Sequence, residues 1–251
     1  MNQIFRNAAL RVPCDQCPLR VLPHFREFGP SEIDFVSSFK TGELVAEAGT
    51  LLLAEGMHNA HLFTILSGWA FRYKTLPDGR RQVLNYVLPG DLVGLQGTIM
   101  GELDHSVEAL TPLILCVFQR ERLNELFVNY PSLAFDVTWL ASREERMLDD
   151  HLLSVGRRSA LERAAYLIAF LYKRAVAVGL GAESLVRIPL TQTLVADTLG
   201  LSIVHTNKTL RKLVMRGLIR WQGRACEVLD IDGLLEIAQW DQMQERKRPF
   251  I

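Results

Sequence analysis

Before about residue 131 the apolar positions come in short alternating runs, and after it they recur at helical spacing. Between residues 42 and 118 the runs are separated by turn residues, which predicts short strands. Residues 69–75 set Trp69, Phe71 and Tyr73 on one face and Ala70, Arg72 and Lys74 on the other. Pro77-Asp78-Gly79 makes a tight turn into a strand over residues 82–88, which Pro89-Gly90-Asp91 ends. A further strand is expected around residues 106–118. Many short strands at this spacing imply an antiparallel roll or barrel. The first 30 residues, with Pro13, Pro18, Pro23 and Pro30, read as an irregular arm.

Residues 131–154 hold no Gly and no Pro after Pro131 and are rich in Leu, Ala, Glu and Arg, so a long helix is expected. Val137, Leu140, Met147 and Ser154 fall on one heptad seam, interrupted by Glu144 and His151. Ala141, Leu148, Leu152 and Val155 form a second stripe beside it. One stripe can cover the helix's own domain while the other pairs with a second copy, the alternative being a helix packed only within the monomer. Gly156 is expected to close this helix. Residues 157–177 read as another, with Leu161, Ala165, Ile168 and Tyr172 on its inner face, and residues 178–184 as a loop.

Residues 190–219 carry the most specific signal. Thr191 can cap a short helix with Leu194 and Val195 on its apolar side, and Ala196 is small where a second helix must cross. Gly200 stands where that helix ends and the chain turns sharply. Ser202 caps the next helix, whose apolar stripe is Ile203, Thr206, Leu210 and Leu213. Its other face shows Val204, His205, Asn207, Lys208, Arg211 and Lys212, a row suited to a major groove. Gly217 stops the helix, and residues 221–226 read as a hairpin with Gly223-Arg224 at its tip, a wing. A plain helical hairpin with a basic exterior is the bland alternative, and double-stranded DNA the partner these offsets favour.

Net charge changes the picture only when it is divided. The 251 residues carry 28 basic and 28 acidic side chains. Residues 155–220 nevertheless hold a net +8, against −6 before them and −2 after. A basic block confined to one stretch is what phosphate binding requires. Apolar residues at 49 % and charged residues at 22 % belong to an ordinary folded chain with ample core. No signal peptide or membrane span is expected, and four cysteines do not make a disulfide scaffold, so a reducing cytoplasm is the expected compartment.

The helix-turn-helix segment closely resembles that of the Crp/Fnr family of bacterial transcription regulators, on its Fnr/FixK-like side. The likeness extends to the Gly90-Asp91-Leu92-Val93-Gly94 turn, the long helix and Ser159-Ala-Leu-Glu-Arg163. It implies an α+β chain. An N-terminal arm (1–30) would precede a cyclic-nucleotide-binding-like β-roll, or jelly roll (31–130), and a dimerisation helix (131–156). A winged helix-turn-helix (157–236) and a C-terminal tail (237–251) would follow. It also implies a homodimer on a palindromic operator with half-sites about one helical turn apart, working with RNA polymerase. By position, Thr191, Gln192, Ser202 and Arg211 match phosphate contacts, and Val204, Asn207 and Lys208 match base-reading positions, with His205 beside them. The Fnr subgroup has Glu, Ser and Arg at those three reading positions, so the operator half-site is expected to differ.

The resemblance also bears on the signal. Family members that bind cyclic AMP have a Glu and an Arg-Ser pair where this chain has Leu95 and His105-Ser106, so the charge-assisted contacts of a cyclic nucleotide are missing. Those with an iron–sulfur cluster use N-terminal cysteines and one distant cysteine. Cys14 and Cys17 match a Cys-x-x-Cys pair and Cys116 the distant ligand, while Pro23 replaces the fourth, with His24 adjacent as a substitute. A cluster or other metal on these residues, and inert thiols, both stay open. Control of the roll by redox or by a small ligand is expected. Two other classes compete with a regulator that is no enzyme: a cupin-like metal enzyme, and a ligand-binding regulatory subunit without a DNA role. The first lacks a His-x-His pair, and the basic helix opposes the second.

Overall fold

The computed structural model describes residues 12–58, 60–181, 186–240 and 247–251. In order the elements are α1 (Pro30–Phe39), β1 (Lys40–Ala46), β2 (Leu51–Leu53), β3 (His61–Ser67), β4 (Ala70–Thr75), β5 (Arg81–Val87) and β6 (Leu92–Val93). Next come α2 (Leu95–Met100), β7 (Ser106–Ala109), β8 (Leu113–Gln119), α3 (Leu123–Asn129), α4 (Pro131–Arg157) and α5 (Ala160–Ala177). The chain continues through β9 (Arg187–Ile188), α6 (Gln192–Leu199), α7 (Ile203–Met215), β10 (Ile219–Gln222), β11 (Ala225–Val228) and α8 (Ile231–Ala238). These form two compact units, one from the described parts of Met1–Lys74, Val87–Glu145 and Arg246–Ile251, the other from Thr75–Tyr86 and Arg146–Glu245.

The first unit is the roll. One sheet runs β1-β8-β3-β6, with Cys116 of β8 opposite Glu43 on one side and Thr64 on the other. In the other, β7 lies between β2 and β4, all antiparallel. Leu44, Phe63, Ile65, Val107, Leu115 and Val117 share its core. The single strand expected over residues 106–118 is two strands. Pro112 has no N–H to give a ladder, and the amides of Leu110 and Thr111 turn instead to the carbonyl of Trp69, at 2.7 and 3.1 Å. Helix α2 carries no sequence signal; Gly94 opens it in a left-handed conformation at φ 92°.

Residues 1–11 of the expected arm lie outside the described residues, and residues 12–30 are more ordered than their prolines suggest. Two short 3-10 turns, Cys14–Gln16 and Pro18–Val21, accommodate them, and Leu19, Phe25 and Phe28 are buried. The Arg26 guanidinium binds Glu32 at 2.9 Å and also pairs with Asp136 of α4. Burial alone would raise the Glu32 carboxyl, but hydrogen bonds from Arg26, Ser132 and the Gly29 amide bring it down to about 2.

Helix α8 fills Ile231–Ala238, so of the stretch expected as a tail its first two residues end that helix, and residues 247–251 belong to the first unit. There the Arg248 amide donates to the His24 carbonyl at 2.8 Å, and the Arg26 amide to the Arg248 carbonyl at 2.9 Å.

In the second unit α5 is the centre. Of the expected inner face Ala165 and Ile168 are buried and Leu161 and Tyr172 only half-buried. Every residue from Ala164 to Leu171 is buried, because other elements of the unit surround the helix. Ser159 caps it in a reciprocal box with Glu162. The wing strands β10 and β11 gain β9 as a third strand, in the order β10-β11-β9.

Helix α4 follows its two stripes. Val137 and Leu140 are buried in the first unit, Met147 and Ser154 in the second. The polar interruptions of that seam have partners: Glu144 pairs with Arg72, and the His151 ring meets Phe170 edge-on at 5.3 Å. Of the second stripe, Ala141, Leu148 and Leu152 are exposed and Val155 is half-buried. Gly156 lies inside the last turn rather than ending it.

Two measurements test this account. A Cβ on Gly68 would sit 2.3 Å from the Pro112 carbonyl oxygen, at a φ of +90°. Gly68→Ala should therefore cost about 2 kcal/mol or more in urea unfolding. His105 is buried, and burial first, then Arg72 and Lys74, pushes its imidazole down to about 3. The unfolded chain takes up a proton near pH 6.5 that the folded chain refuses. Stability is thus complete above that pH and declines as pH falls, by at most about 1.4 kcal/mol per pH unit from this group. His105→Gln should flatten the decline; an unchanged slope in urea titrations between pH 6.5 and 4.5 would contradict the assignment.

Candidate nucleic-acid interface

Local rules build the site. The Thr191 hydroxyl accepts from the Leu194 amide at 3.1 Å and starts α6, while Thr198 turns its own hydroxyl to the Leu194 carbonyl at 2.6 Å. Gly200, at φ 64°, ends α6 in the left-handed region. Ser202 then accepts from the His205 amide at 3.3 Å and starts α7. Thr206, Leu210 and Leu213 are buried, as their spacing predicts, and Thr209 joins them. Ile203 does not: at the first position of the helix it is 44 % exposed. The expected stripe therefore begins one turn later.

The opposite face carries Val204, His205, Asn207, Lys208, Arg211 and Lys212, all exposed. Gln192 is exposed at the start of α6, Thr191 is half-buried, and Ser202 is exposed at the turn. All eight residues expected at DNA thus lie on the helix-turn-helix, and seven of them reach solvent freely. The wing adds Gln222, Gly223 and Arg224, exposed at the β10–β11 turn, where Gly223 has a φ of 57°. Among the described residues no salt bridge engages Lys208, Arg211 or Lys212, so their charge is available to phosphate.

One set of residues at this site escaped sequence reading. The hairpin Thr75–Tyr86, expected as part of the roll, groups with the second unit. Arg81 pairs with Asp197 of α6 at 3.1 Å, and Gln82 Nε2 donates to the Thr198 carbonyl at 2.9 Å. The Tyr86 hydroxyl meets Thr198 Oγ1 at 2.9 Å, and burial raises its pKa well above the ordinary phenol value. Arg174 of α5 donates to the Tyr86 carbonyl at 2.8 Å. One signal was present: Asp197 is the only acidic residue between Glu183 and Glu227, in an otherwise basic stretch.

The thiols expected as metal ligands are brought together in part. Cys14, Cys17 and Cys116 line one small pocket of the first unit, and His24 is not among its walls. Burial pushes the Cys116 thiol up to about 12 and raises Cys17, so both are protonated thiols here. Among the described residues no three His, Cys, Asp or Glu side chains are grouped to hold a metal ion. As placed, these residues do not fit an iron–sulfur cluster, and the convergent set a cupin-like enzyme requires is not present among them either. Cys226 is fully buried in the wing sheet and takes no part.

Comparison with known proteins agrees with this geometry. Residues 43–130 match the cyclic nucleotide-binding domain family and residues 162–237 the Crp-like helix-turn-helix domain family. The nitrogen fixation regulation protein FixK of Bradyrhizobium diazoefficiens is 32 % identical over 172 residues, 68 % of this chain and 71 % of that protein. The transcriptional activator protein FnrL of Cereibacter sphaeroides is 28 % identical over 229 residues, 90 % of this chain and 91 % of that protein. Among solved structures, FixK2 from Bradyrhizobium japonicum superposes with a TM-score of 0.69 at 24 % identity, covering 78 % of this chain and 96 % of that one, a likeness of fold. The matched helix-turn-helix removes the reading of a regulatory subunit without a DNA role, and the relatives are regulators, not enzymes. The chain belongs to the Crp/Fnr family and is a DNA-binding transcription regulator.

Proposed function

We propose that this regulator acts in the cytoplasm as a homodimer, paired through α4, that reads a palindromic operator with α7 in successive major grooves. The observation that carries the reading is the exposed row Asn207, Lys208, Arg211 and Lys212 on the side of α7 away from its buried Thr206, Leu210 and Leu213. Thr191, Gln192, Ser202 and Arg211 hold phosphates and fix the register. Asn207, Lys208 and His205 hydrogen-bond base edges, while Val204 offers only apolar contact, suited to a thymine methyl. Two such helices related by a two-fold axis require half-sites about one helical turn apart. Among the described residues no helix is long and apolar enough to cross a membrane, which suits a chain that works on DNA.

The exposed stripe Ala141, Leu148 and Leu152 is the surface a second copy covers. The roll would pass a redox or small-ligand signal to the DNA-bound dimer, and RNA polymerase is the partner on the promoter. Neither His105, buried and neutral, nor Leu95 offers a cyclic nucleotide its charged contacts.

Affinity for an operator selected from random duplexes should fall steeply with salt. The double variant Lys208→Ala, Arg211→Ala should lose specific binding and reduce the salt slope by about two. Parental affinity in that variant would remove α7 as the reading helix. Sedimentation equilibrium should find a dimer that Leu152→Glu converts to monomer, because a charge at an apolar seam is left unpaired. A dimer undisturbed by Leu152→Glu would move the interface off α4.

A further inference from the structure

The last turn of α6 stands directly before the bend that aims α7, and its final carbonyls have no amide within the helix to bind. Gly200 and Leu201 turn their amides back to the Ala196 carbonyl, the second at 3.2 Å. Two of the remaining carbonyls take donors from elsewhere in the unit. Gln82 Nε2 serves Thr198 at 2.9 Å, and Arg163 Nη1 of α5 serves Leu199 at 3.2 Å. Asp197 adds a carboxylate to this negative end of the helix, where it is unfavourable unless neutralised. Arg81 neutralises it through Nε and Nη2, both at 3.1 Å. The Thr198 hydroxyl gives its one proton to the Leu194 carbonyl, so in its bond with Tyr86 the phenol is the donor. A Cβ on Gly200 would lie 3.9 Å from Gln82 Oε1, so β5 borders the bend itself.

A strand can hold a helix only where something else holds the strand. Arg174 of α5, itself buried, donates to the Tyr86 carbonyl at 2.8 Å and to Asn85 Oδ1 at 3.2 Å, and its guanidinium lies 5.3 Å from the centre of the Phe170 ring. Asn85 Nδ2 reaches the Met147 sulfur of α4 at 3.6 Å. The end of β5 is thereby tied to the enclosed centre of the unit, and α6 is tied to β5.

We infer that Arg81, Gln82 and Tyr86 are positioning residues for operator recognition: with β5 anchored on α4 and α5, they fix the last turn of α6 and through it the angle at which α7 meets base edges. The inference rests on α7 as the reading helix and names what aims it. Hydrogen bonds to bases weaken steeply with misalignment, whereas contacts of long Lys and Arg side chains to phosphate tolerate a small rotation. Loosening the grip therefore lowers specific affinity and spares non-specific affinity. Arg81 has a second effect. Asp197 is the one acidic residue between Glu183 and Glu227, and the ion pair keeps its charge from opposing phosphates.

Titration of the full chain with its selected operator and with random duplex tests this. Gln82→Ala and Tyr86→Phe should each lower operator affinity about fivefold, with random-duplex affinity changed by less than about twofold and the salt slope unaltered. Arg81→Ala should lower both affinities, and Asp197→Asn in that background should restore the random-duplex value. Hydrogen exchange at the Gly200 and Leu201 amides should quicken in Gln82→Ala while the amides of α5 stay protected. A role in stability alone would lower the unfolding midpoint and leave the ratio of operator to random affinity unchanged below it. That result overturns the inference, as does unchanged exchange at Gly200 and Leu201. Should Tyr86→Phe unfold the chain, Gln82→Ala, at a half-buried position, decides. Parental affinity in the Lys208→Ala, Arg211→Ala variant would remove α7 as the reading helix and this inference with it, while the exchange rates report separately on the hold of β5 over α6.

Discussion

The DNA-reading half of this protein depends on a single backbone turn. Gly200 takes a left-handed conformation between α6 and α7, and Ser202 caps the second helix two residues later. Together they set the rotation of α7 about its axis. With that rotation Thr206, Leu210 and Leu213 go inward and Asn207, Lys208 and Arg211 come out. A helix turned by one residue would bury cations without partners, at a cost no local contact could offset. The turn therefore specifies which face of α7 reaches solvent as much as the side chains on it do.

A second constraint is the grip of the Thr75–Tyr86 hairpin on α6. Arg81, Gln82 and Tyr86 all engage Asp197 or Thr198, on the last turn of the helix that Gly200 ends. Thr198 cannot shift without breaking bonds to both Tyr86 and Leu194. The hairpin thus holds the turn that orients the reading helix, and it reaches that turn from a stretch of sequence more than a hundred residues earlier. This arrangement makes α6 a relay between the hairpin and α7.

How much of this was legible follows the range of the interactions. Caps at Thr191 and Ser202, the left-handed Gly200 and the buried face of α7 rest on neighbours within four residues, and all could be read directly. So could the two stripes of α4, although spacing left open whether the second is covered within the monomer. Ile203 was misread because helical spacing alone does not say where burial starts; the first residue of α7 lies beyond the packed face. The break at Pro112 needed the distant Trp69 carbonyl to replace the lost ladder bonds. Strand β9 has two residues, too few for any period. Pairs such as Arg81–Asp197 and Arg248–Asp91, 116 and 157 residues apart, have no local signature at all. The thiols were grouped by the family resemblance rather than by spacing, and their protonation depends on burial, which a resemblance cannot report.

Helix α5 has a consequence for how the reading apparatus can evolve or be moved. A helix enclosed on every side from Ala164 to Leu171 supplies most of the inner surface on which its neighbours rest. The pair α6–α7 is too short to assemble such a surface for itself. It is not a transferable cassette: grafted elsewhere without α5, it would have nothing to fold upon. Variation is consequently free to accumulate on the exposed row of α7, while the alanines and leucines of α5 admit little change.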